Sequence, residues 1–239
     1  MPHAGTVGPG KASRGEVTSW ALYDFGSSAF NTIVVTFLFS EFFANVIAGT
    51  REGAADLCVA NEGAILWTRA ITVSAVVVAL MMPLLGAIAD YSGRKKPFLV
   101  GLALVSITFT VVLFFVGLPG HALAAALVFV VANIAFEAGN VLYNAFLPEV
   151  ATPGTMGRVS GLGFFLGYIG GIISLGLCLW LYQTLPGGEE GAWLNIRASL
   201  LVVAAWFLVF ALPLFLFVRE RAERRRATMA DYARIGFSR

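Results

Sequence analysis

The chain has 239 residues, of which 58% are hydrophobic and only 13% are charged, and its mean hydropathy is +0.82. A soluble domain carries about twice that fraction of charged residues, so the composition excludes an ordinary soluble fold. The net charge of +2 says little by itself, and two cysteines do not make a disulfide framework. The composition is that of a membrane protein, so the lipid bilayer is an expected partner and nucleic acid is not.

Six stretches are long and apolar enough to cross a bilayer as helices, which takes about 20 residues each. They cover roughly residues 18–48, 63–89, 97–118, 121–147, 157–184 and 194–218. Pro119-Gly120 must divide one uncharged run that is too long for a single crossing. We therefore expect an all-α membrane protein with an amino-terminal tail (1–16), a bundle of six transmembrane helices (17–218) and a basic tail (219–239).

Lysine and arginine are unevenly distributed along the chain. If the amino terminus is cytoplasmic, 13 of the 16 fall in inner segments, and only Arg51, Arg69 and Arg197 lie toward the outside. This bias predicts that both termini are cytoplasmic, in a plasma or bacterial inner membrane. The basic tail is either a topology anchor on anionic lipid or a linker or docking segment for another subunit.

The connection between helices 2 and 3 reads Gly86-Ala-Ile-Ala-Asp90-Tyr-Ser-Gly93-Arg94-Lys95-Lys96. Gly86 would let a neighbouring helix approach closely, and Gly93 permits a tight turn. A carboxylate such as Asp90 at the membrane edge needs a cation, which Arg94 can supply. The string closely resembles the signature of the major facilitator superfamily at this place, where it latches two halves on the cytoplasmic side. The alternative is a solvated basic loop that only fixes topology.

Further segments are similar to one branch of that superfamily, which includes the fungal vacuolar amino-acid effluxer associated with autophagy and its bacterial relatives. They are 20–31 in helix 1, 143–149 at the end of helix 4, and 157–171 in helix 5. The resemblance covers about residues 16–220 and implies an amino-terminal six-helix half built from two inverted three-helix repeats. It also implies a cytoplasmic gate that contains Gly86, Asp90, Gly93, Arg94, Lys95, Glu149 and Arg158.

Polar side chains recur on one face of two otherwise apolar helices. On helix 4 they are Asn133, Glu137, Asn140 and Asn144, and on helix 1 they are Asp24, Ser28 and Asn31. The spacings of four, three and four on helix 4 keep its polar residues within a stripe about 60° wide. We expect both stripes to line a common aqueous cavity, as helices 1 and 4 do in the superfamily.

Glu137 is the expected site for a proton or a substrate amine, and Asp24 is the second candidate. A carboxyl group in such a cavity can load and release a proton, and the amides offer donors and acceptors to a polar solute. The alternative is that these side chains hold helices together by hydrogen bonds of about 0.6 kcal/mol each. That alternative explains the amides better than it explains a carboxylate.

Three further expectations concern packing. Gly163, Gly167 and Gly171 on helix 5 follow the small-residue spacing that allows close helix contacts. Glu41 and Arg69 have similar depths on the outer side and are expected to pair. Cys58 and Cys178 are expected to be isolated packing residues, although a disulfide between them is geometrically conceivable.

The sequence therefore predicts a half-size secondary transporter that moves a small polar, amino-acid-like solute by alternating access, with proton coupling. One unit would expose its polar stripes to lipid, so a second six-helix half is expected, as a separate chain or a second copy. The alternative is a non-transporting membrane subunit for assembly or regulation. An enzyme is not expected, because no metal-binding histidine pair, nucleophile elbow or phosphate loop occurs. No cofactor and no metal are expected.

Overall fold

The computed structural model describes residues 12–49, 62–91, 95–188 and 190–220, and the side chains of 88–91 lie outside that description. Within these ranges the chain forms six long helices: α1 (Arg14–Ile47), α2 (Glu62–Tyr91), α3 (Lys95–Val116), α4 (Ala122–Asn144), α5 (Met156–Thr184) and α6 (Leu194–Phe217). Each is long and apolar enough to cross a membrane. The prediction of six transmembrane helices in an all-α protein is confirmed.

Local signals explain where several helices begin and end. Ser13 caps α1 through a reciprocal pair: the Glu16 amide donates to Ser13 Oγ over 3.2 Å, and the Ser13 amide donates to Glu16 Oε2 over 2.8 Å. This cap starts α1 four residues earlier than predicted. The fourth helix, α4, ends at Asn144. A separate short helix follows it (Leu147–Val150), with Pro148 in its first turn.

The first helix is not a regular α-helix along its whole length. It is α-helical over Arg14–Ala29 and Leu38–Phe42, with wider π-helical turns over Phe30–Thr36 and Phe43–Ile47. The Phe37 amide, for example, donates to the carbonyl of Thr32, five residues back, over 3.0 Å. Such π-helical turns are uncommon and are frequently found at functional sites.

The first helix of each three-helix set (α1–α3 and α4–α6) packs against the second and third helices of the other set. The first helix, α1, packs against α5 and α6, whereas α4 packs against α2 and α3, and α3 also contacts α6. The start of α1 and the end of α6 meet, since the Arg219 amide donates to Glu16 Oε1 over 3.4 Å. We call this end of the bundle the terminal end and the opposite end the distal end.

Aromatic side chains join α1 to α4 in the core. Trp20 stacks on Tyr143 with ring centroids 4.6 Å apart, and Tyr23 stacks on the same ring at 4.8 Å. The indole Nε1 of Trp20 also donates to the carbonyl of Tyr143 over 3.2 Å. Buried aromatic pairs contribute about 0.5–1.5 kcal/mol beyond the area they bury, so this cluster fixes α1 against the end of α4.

Glycines on α5 allow α1 to approach closely. A β-carbon added at Gly163 would lie 2.7 Å from the Trp20 ring, and one at Gly171 would lie 2.7 Å from Thr32 Oγ1. A β-carbon at Gly170 would clash with the backbone of Phe25. Small residues at these positions therefore set the distance between the two helices.

We expect Gly170→Ala to destabilise the bundle by about 1–3 kcal/mol, because the added methyl group meets rigid backbone. Gly161→Ala is the matched control, since a β-carbon there meets nothing within 4 Å. Both variants gain the same helix propensity. Thermal unfolding of the detergent-solubilised protein measures the difference, and equal stability of the two variants would contradict the packing argument.

Candidate transport cavity

A polar cavity of about 410 Å³ opens between α1, α4 and α5. It is lined by Trp20, Asp24, Ser27, Asn31, Phe136, Glu137, Asn140, Tyr143, Asn144, Ser160 and Phe164. The close contact of α1 with α5 and the aromatic stack between α1 and α4 bring these three helices together. A volume of this size suits a small solute.

The structure brings five of the seven predicted pathway residues to this cavity, namely Asp24, Asn31, Glu137, Asn140 and Asn144. It does not bring the other two to its lining. Ser28 does not line the cavity, whereas Ser27 does. At the α1–α5 contact, a β-carbon at Gly167 would lie 2.9 Å from Ser28 Oγ and 2.8 Å from Asp24 Oδ2. Asn133 is buried with 5% exposure, and its Oδ1 has no hydrogen-bond partner among the described residues.

The cavity combines negative charge with aromatic walls. Among the described residues, the charged side chains that line it are Asp24 and Glu137, both half-buried, and no lysine, arginine or histidine lines it. The rings of Trp20, Phe136, Tyr143 and Phe164 form much of the remaining wall. Carboxylates beside aromatic faces attract cations, so this cavity is suited to protons or ammonium groups and unsuited to anions.

Amide and hydroxyl groups supply further polar contacts. Asn144 Nδ2 donates to the carbonyl of Asn140 over 2.9 Å, which orients the Asn144 side chain along α4. The Tyr143 hydroxyl is buried and has no hydrogen-bond partner among the described residues. A bound solute that reached this hydroxyl could satisfy it, since buried polar groups are costly when unpaired.

A buried ion pair lies at the terminal end of the bundle. Lys95 Nζ lies 2.6 Å from Glu149 Oε1, with the two side chains only 8% and 9% exposed. The same ammonium group donates to the carbonyl of Ala145 over 2.9 Å and lies 5.6 Å from the centre of the Phe146 ring. These contacts tie the first residue of α3 to the segment that follows α4.

The chain matches the family model described as "Vacuole effluxer Atg22 like" over residues 12–239. The chain belongs to this family of transporters. It is also 34% identical over 208 residues to the "Uncharacterized MFS-type transporter YxiO" of Bacillus subtilis (strain 168), in an alignment that covers 85% of the chain and 46% of the relative. The chain thus spans about half the length of that relative. No solved structure matches it.

Membership in the Atg22-like family confirms the resemblance to the major facilitator superfamily and makes the chain an integral, multi-pass membrane protein. It does not assign roles to the predicted gate residues. Of these, Lys95 and Glu149 meet, whereas Arg158 is exposed on α5. A β-carbon at Gly86 would meet nothing within 4 Å, so no helix of the described part approaches it closely. The Asp90 side chain, Gly93 and Arg94 lie outside the described residues.

Sequence reasoning missed a second set of contacts beside the ion pair. Glu220 Oε1 accepts from the Lys96 amide over 2.8 Å, and Lys96 Nζ donates to the carbonyl of Val218 over 2.7 Å. Burial raises the pKa of the Glu220 carboxyl above its ordinary value. Glu220 lies in the predicted basic tail, which also contains Glu223 and Asp231, so nothing in the sequence distinguishes it.

The predicted pair of Glu41 and Arg69 is wrong. Glu41 Oε1 instead accepts from Asn45 Nδ2 over 2.6 Å, and within the described part of the chain Lys95–Glu149 is the only ion pair. The face of α2 that contacts α1 carries Trp67, whose ring centre lies 5.1 Å from that of Phe43, with the two ring planes tilted by 44°. Arg69 follows Trp67 by two residues, about 200° around the helix, and is therefore exposed on another side.

The cysteine prediction is only partly testable. Cys178 is buried and free on the α5 face that contacts the bundle core, while Cys58 lies outside the described residues. Among the described residues, no group of three or more His, Cys, Asp or Glu side chains could hold a metal ion.

Lys95→Met should destabilise the protein, because it breaks the buried Lys95–Glu149 pair, and breaking such a pair typically costs about 3–5 kcal/mol. The double variant Lys95→Met/Glu149→Leu should regain most of that stability, since two apolar side chains can replace a buried pair. Arg158→Met is the control, because it removes an exposed charge. Denaturant unfolding compares the three proteins, and a Lys95→Met variant as stable as Arg158→Met would refute a stabilising ion pair.

Proposed function

We propose that this six-helix unit forms half of a secondary transporter that moves a small solute with a positively charged amino group, such as an amino acid, with proton coupling. One observation carries the proposal: Asp24 and Glu137 line the same cavity, and no basic side chain of the described residues lines it with them. Membrane-embedded carboxylates are costly and are typical of proton and substrate pathways. The family membership supports transport but leaves the solute open.

Each polar residue of the cavity has a role in this proposal. Of Glu137 on α4 and Asp24 on α1, one carboxylate binds the ammonium group of the solute and the other carries the coupling proton. Asn31, Asn140 and Asn144 exchange hydrogen bonds with the polar part of the solute, because an amide can both donate and accept. The Tyr143 hydroxyl, which has no hydrogen-bond partner within the described part of the chain, is one more group that can bond to the solute.

A second six-helix unit would complete the cavity. The cavity is open on one side, and the neighbouring α5 side chains Phe164 and Tyr168 are 65% and 62% exposed. The Bacillus subtilis relative is about twice as long as the aligned region, which supports a transport unit of two such halves. In major-facilitator folds the solute binds between the halves near the midplane, so the second half, of complementary sequence or a second copy, would cover this face.

The terminal end is proposed to face the cytoplasm, in agreement with the distribution of lysine and arginine. Transport would proceed as one half rocks against the other, while the Gly86–Lys96 segment and the Lys95–Glu149 pair close the cytoplasmic side. The exchanged packing, in which α1 contacts α5 and α6 while α4 contacts α2 and α3, supports a pair of inverted repeats. A plasma or bacterial inner membrane is the proposed location.

Glu137→Gln should reduce proton-coupled uptake at least ten-fold while membrane insertion stays normal, because the amide cannot carry a proton. Proteoliposomes of the assembled transporter, loaded with a pH-sensitive dye, would be given leucine, lysine or glutamate in turn. Glu190→Gln, an exposed residue outside the cavity, controls for the loss of one charge. Normal coupled uptake by Glu137→Gln would remove this residue from the mechanism, and preferred uptake of glutamate would contradict recognition of a cation.

Cysteine labelling tests whether the cavity is aqueous. In a background with Cys58 and Cys178 changed to serine, Asn140→Cys should react with a water-soluble maleimide, because residue 140 lines the cavity. Leu127→Cys, on the apolar exposed face of α4, should be shielded by lipid and remain unlabelled. The cavity proposal fails if position 140 is as unreactive as position 127.

A further inference from the structure

A second groove of about 430 Å³ lies toward the distal end, between α1, α5 and the start of α6. Its walls are mostly apolar and aromatic and include Phe37, Phe42, Tyr182 and Trp193. Glu41 also lines it, beside Asn45. The polar cavity and this distal groove share α1 and α5, and Glu41 follows Asn31 by ten residues, or about 15 Å of helix.

Glu41 lies in a membrane-spanning helix without a cation nearby. Its Oε1 accepts from the neutral amide of Asn45 over 2.6 Å, and no lysine, arginine or histidine of the described residues lies within ion-pair distance. Arg69, the predicted partner, is on another side of α2. Charged side chains are rare within membrane spans and usually pair or serve a function. This exposed carboxylate can therefore accept a cationic ligand in the groove.

The aromatic side chains of the groove suit the same kind of ligand. The rings of Phe42 and Trp193 lie 5.6 Å apart, and Phe37 and Tyr182 are 54% and 48% exposed. Trp193 is held at the start of α6 by a left-handed backbone conformation, with φ of 55°, and its Nε1 is buried without a partner among the described residues. Non-glycine residues in that conformation are strained and often mark functional sites.

We propose that this distal groove is a separate binding site for an organic ammonium ion that carries an apolar or aromatic group. The ammonium group pairs with the Glu41 carboxylate, and aromatic faces hold both the cation and its apolar part. The volume is within the range of small-ligand sites. A role of the groove in transport rests on the proposed function. In that role the groove would concentrate cationic solutes between α1 and α5, beside the main cavity.

The test uses phenethylammonium as the probe and phenethyl alcohol as its uncharged analogue of similar size. The full chain, labelled with 5-fluorotryptophan and held in lipid nanodiscs, is titrated with each compound while ¹⁹F NMR follows Trp193, assigned from Trp193→Phe. We expect a saturable shift of the Trp193 signal with the amine and at least ten-fold weaker binding of the alcohol. Glu41→Gln should weaken amine binding at least ten-fold, and Glu190→Gln should leave it unchanged.

A second variant distinguishes loss of the charge from a folding defect in Glu41→Gln. Asn45→Asp adds a carboxylate to the groove and should tighten amine binding several-fold. The inference is overturned if Glu41→Gln binds the amine as well as the unchanged protein, if Asn45→Asp brings no gain, or if the alcohol binds equally well.

The main cavity is tested separately in the same experiment. Asp24→Asn/Glu137→Gln should abolish uptake but leave the response of Trp193 to the amine intact. In the unchanged protein, normal uptake without a Trp193 response would refute the groove alone, whereas a Trp193 response without any uptake by the assembled transporter would refute the proposed function alone. In the active transporter, Glu41→Gln should raise KM for a cationic solute with little change in kcat.

Discussion

The close contact between α1 and α5 is the constraint on which the rest of the structure depends. Gly163, Gly170 and Gly171 leave no room for a β-carbon against α1, so the two helices meet backbone to side chain over several turns. On its other side, α1 is fixed to α4 by the stack of Trp20 and Tyr23 on Tyr143. Asp24 and Glu137 lie between these contacts, and the cavity exists because α1 is held from both sides.

The bilayer explains why polar residues converge as they do. A helix surrounded by lipid tails can place a carboxylate or an amide only where water, another polar group or a ligand meets it. The helices meet this requirement in three ways: Lys95 and Glu149 neutralise each other in a buried pair, Asp24 and Glu137 face an open cavity, and Glu41 faces an aromatic groove. The first arrangement joins two opposite charges of the chain, whereas the other two are suited to a ligand.

Periodicity and charge were enough to predict the six helices. The polar stripes that the same patterns mark on α1 and α4 lie beside one cavity, and the roles of their residues stay predictions. Ser27, at the edge of the predicted stripe, lines the cavity, whereas Ser28 does not. The two residues are about 100° apart on the helix, so the direction of the cavity from α1 decides which of them reaches it. The π-helical turns of α1 could not be predicted, although the run from Thr32 to Thr36 is β-branched and crowds a regular helix. Pairing by similar depth failed for Glu41 and Arg69, since depth does not fix the direction in which a side chain points.

The terminal end couples the helix ends more tightly than sequence could show. Lys95 holds α3 to the segment after α4, and the adjacent Lys96 holds α3 to Val218 and Glu220 after α6. Two consecutive lysines thus join three parts of the chain at one point. If one half rocks against the other during transport, these contacts make α3, α4 and α6 move as one body, because breaking a buried ion pair would cost several kcal/mol. The motion must then occur at the open face of the cavity, where α1, α4 and α5 expose their polar groups and no such pair holds them.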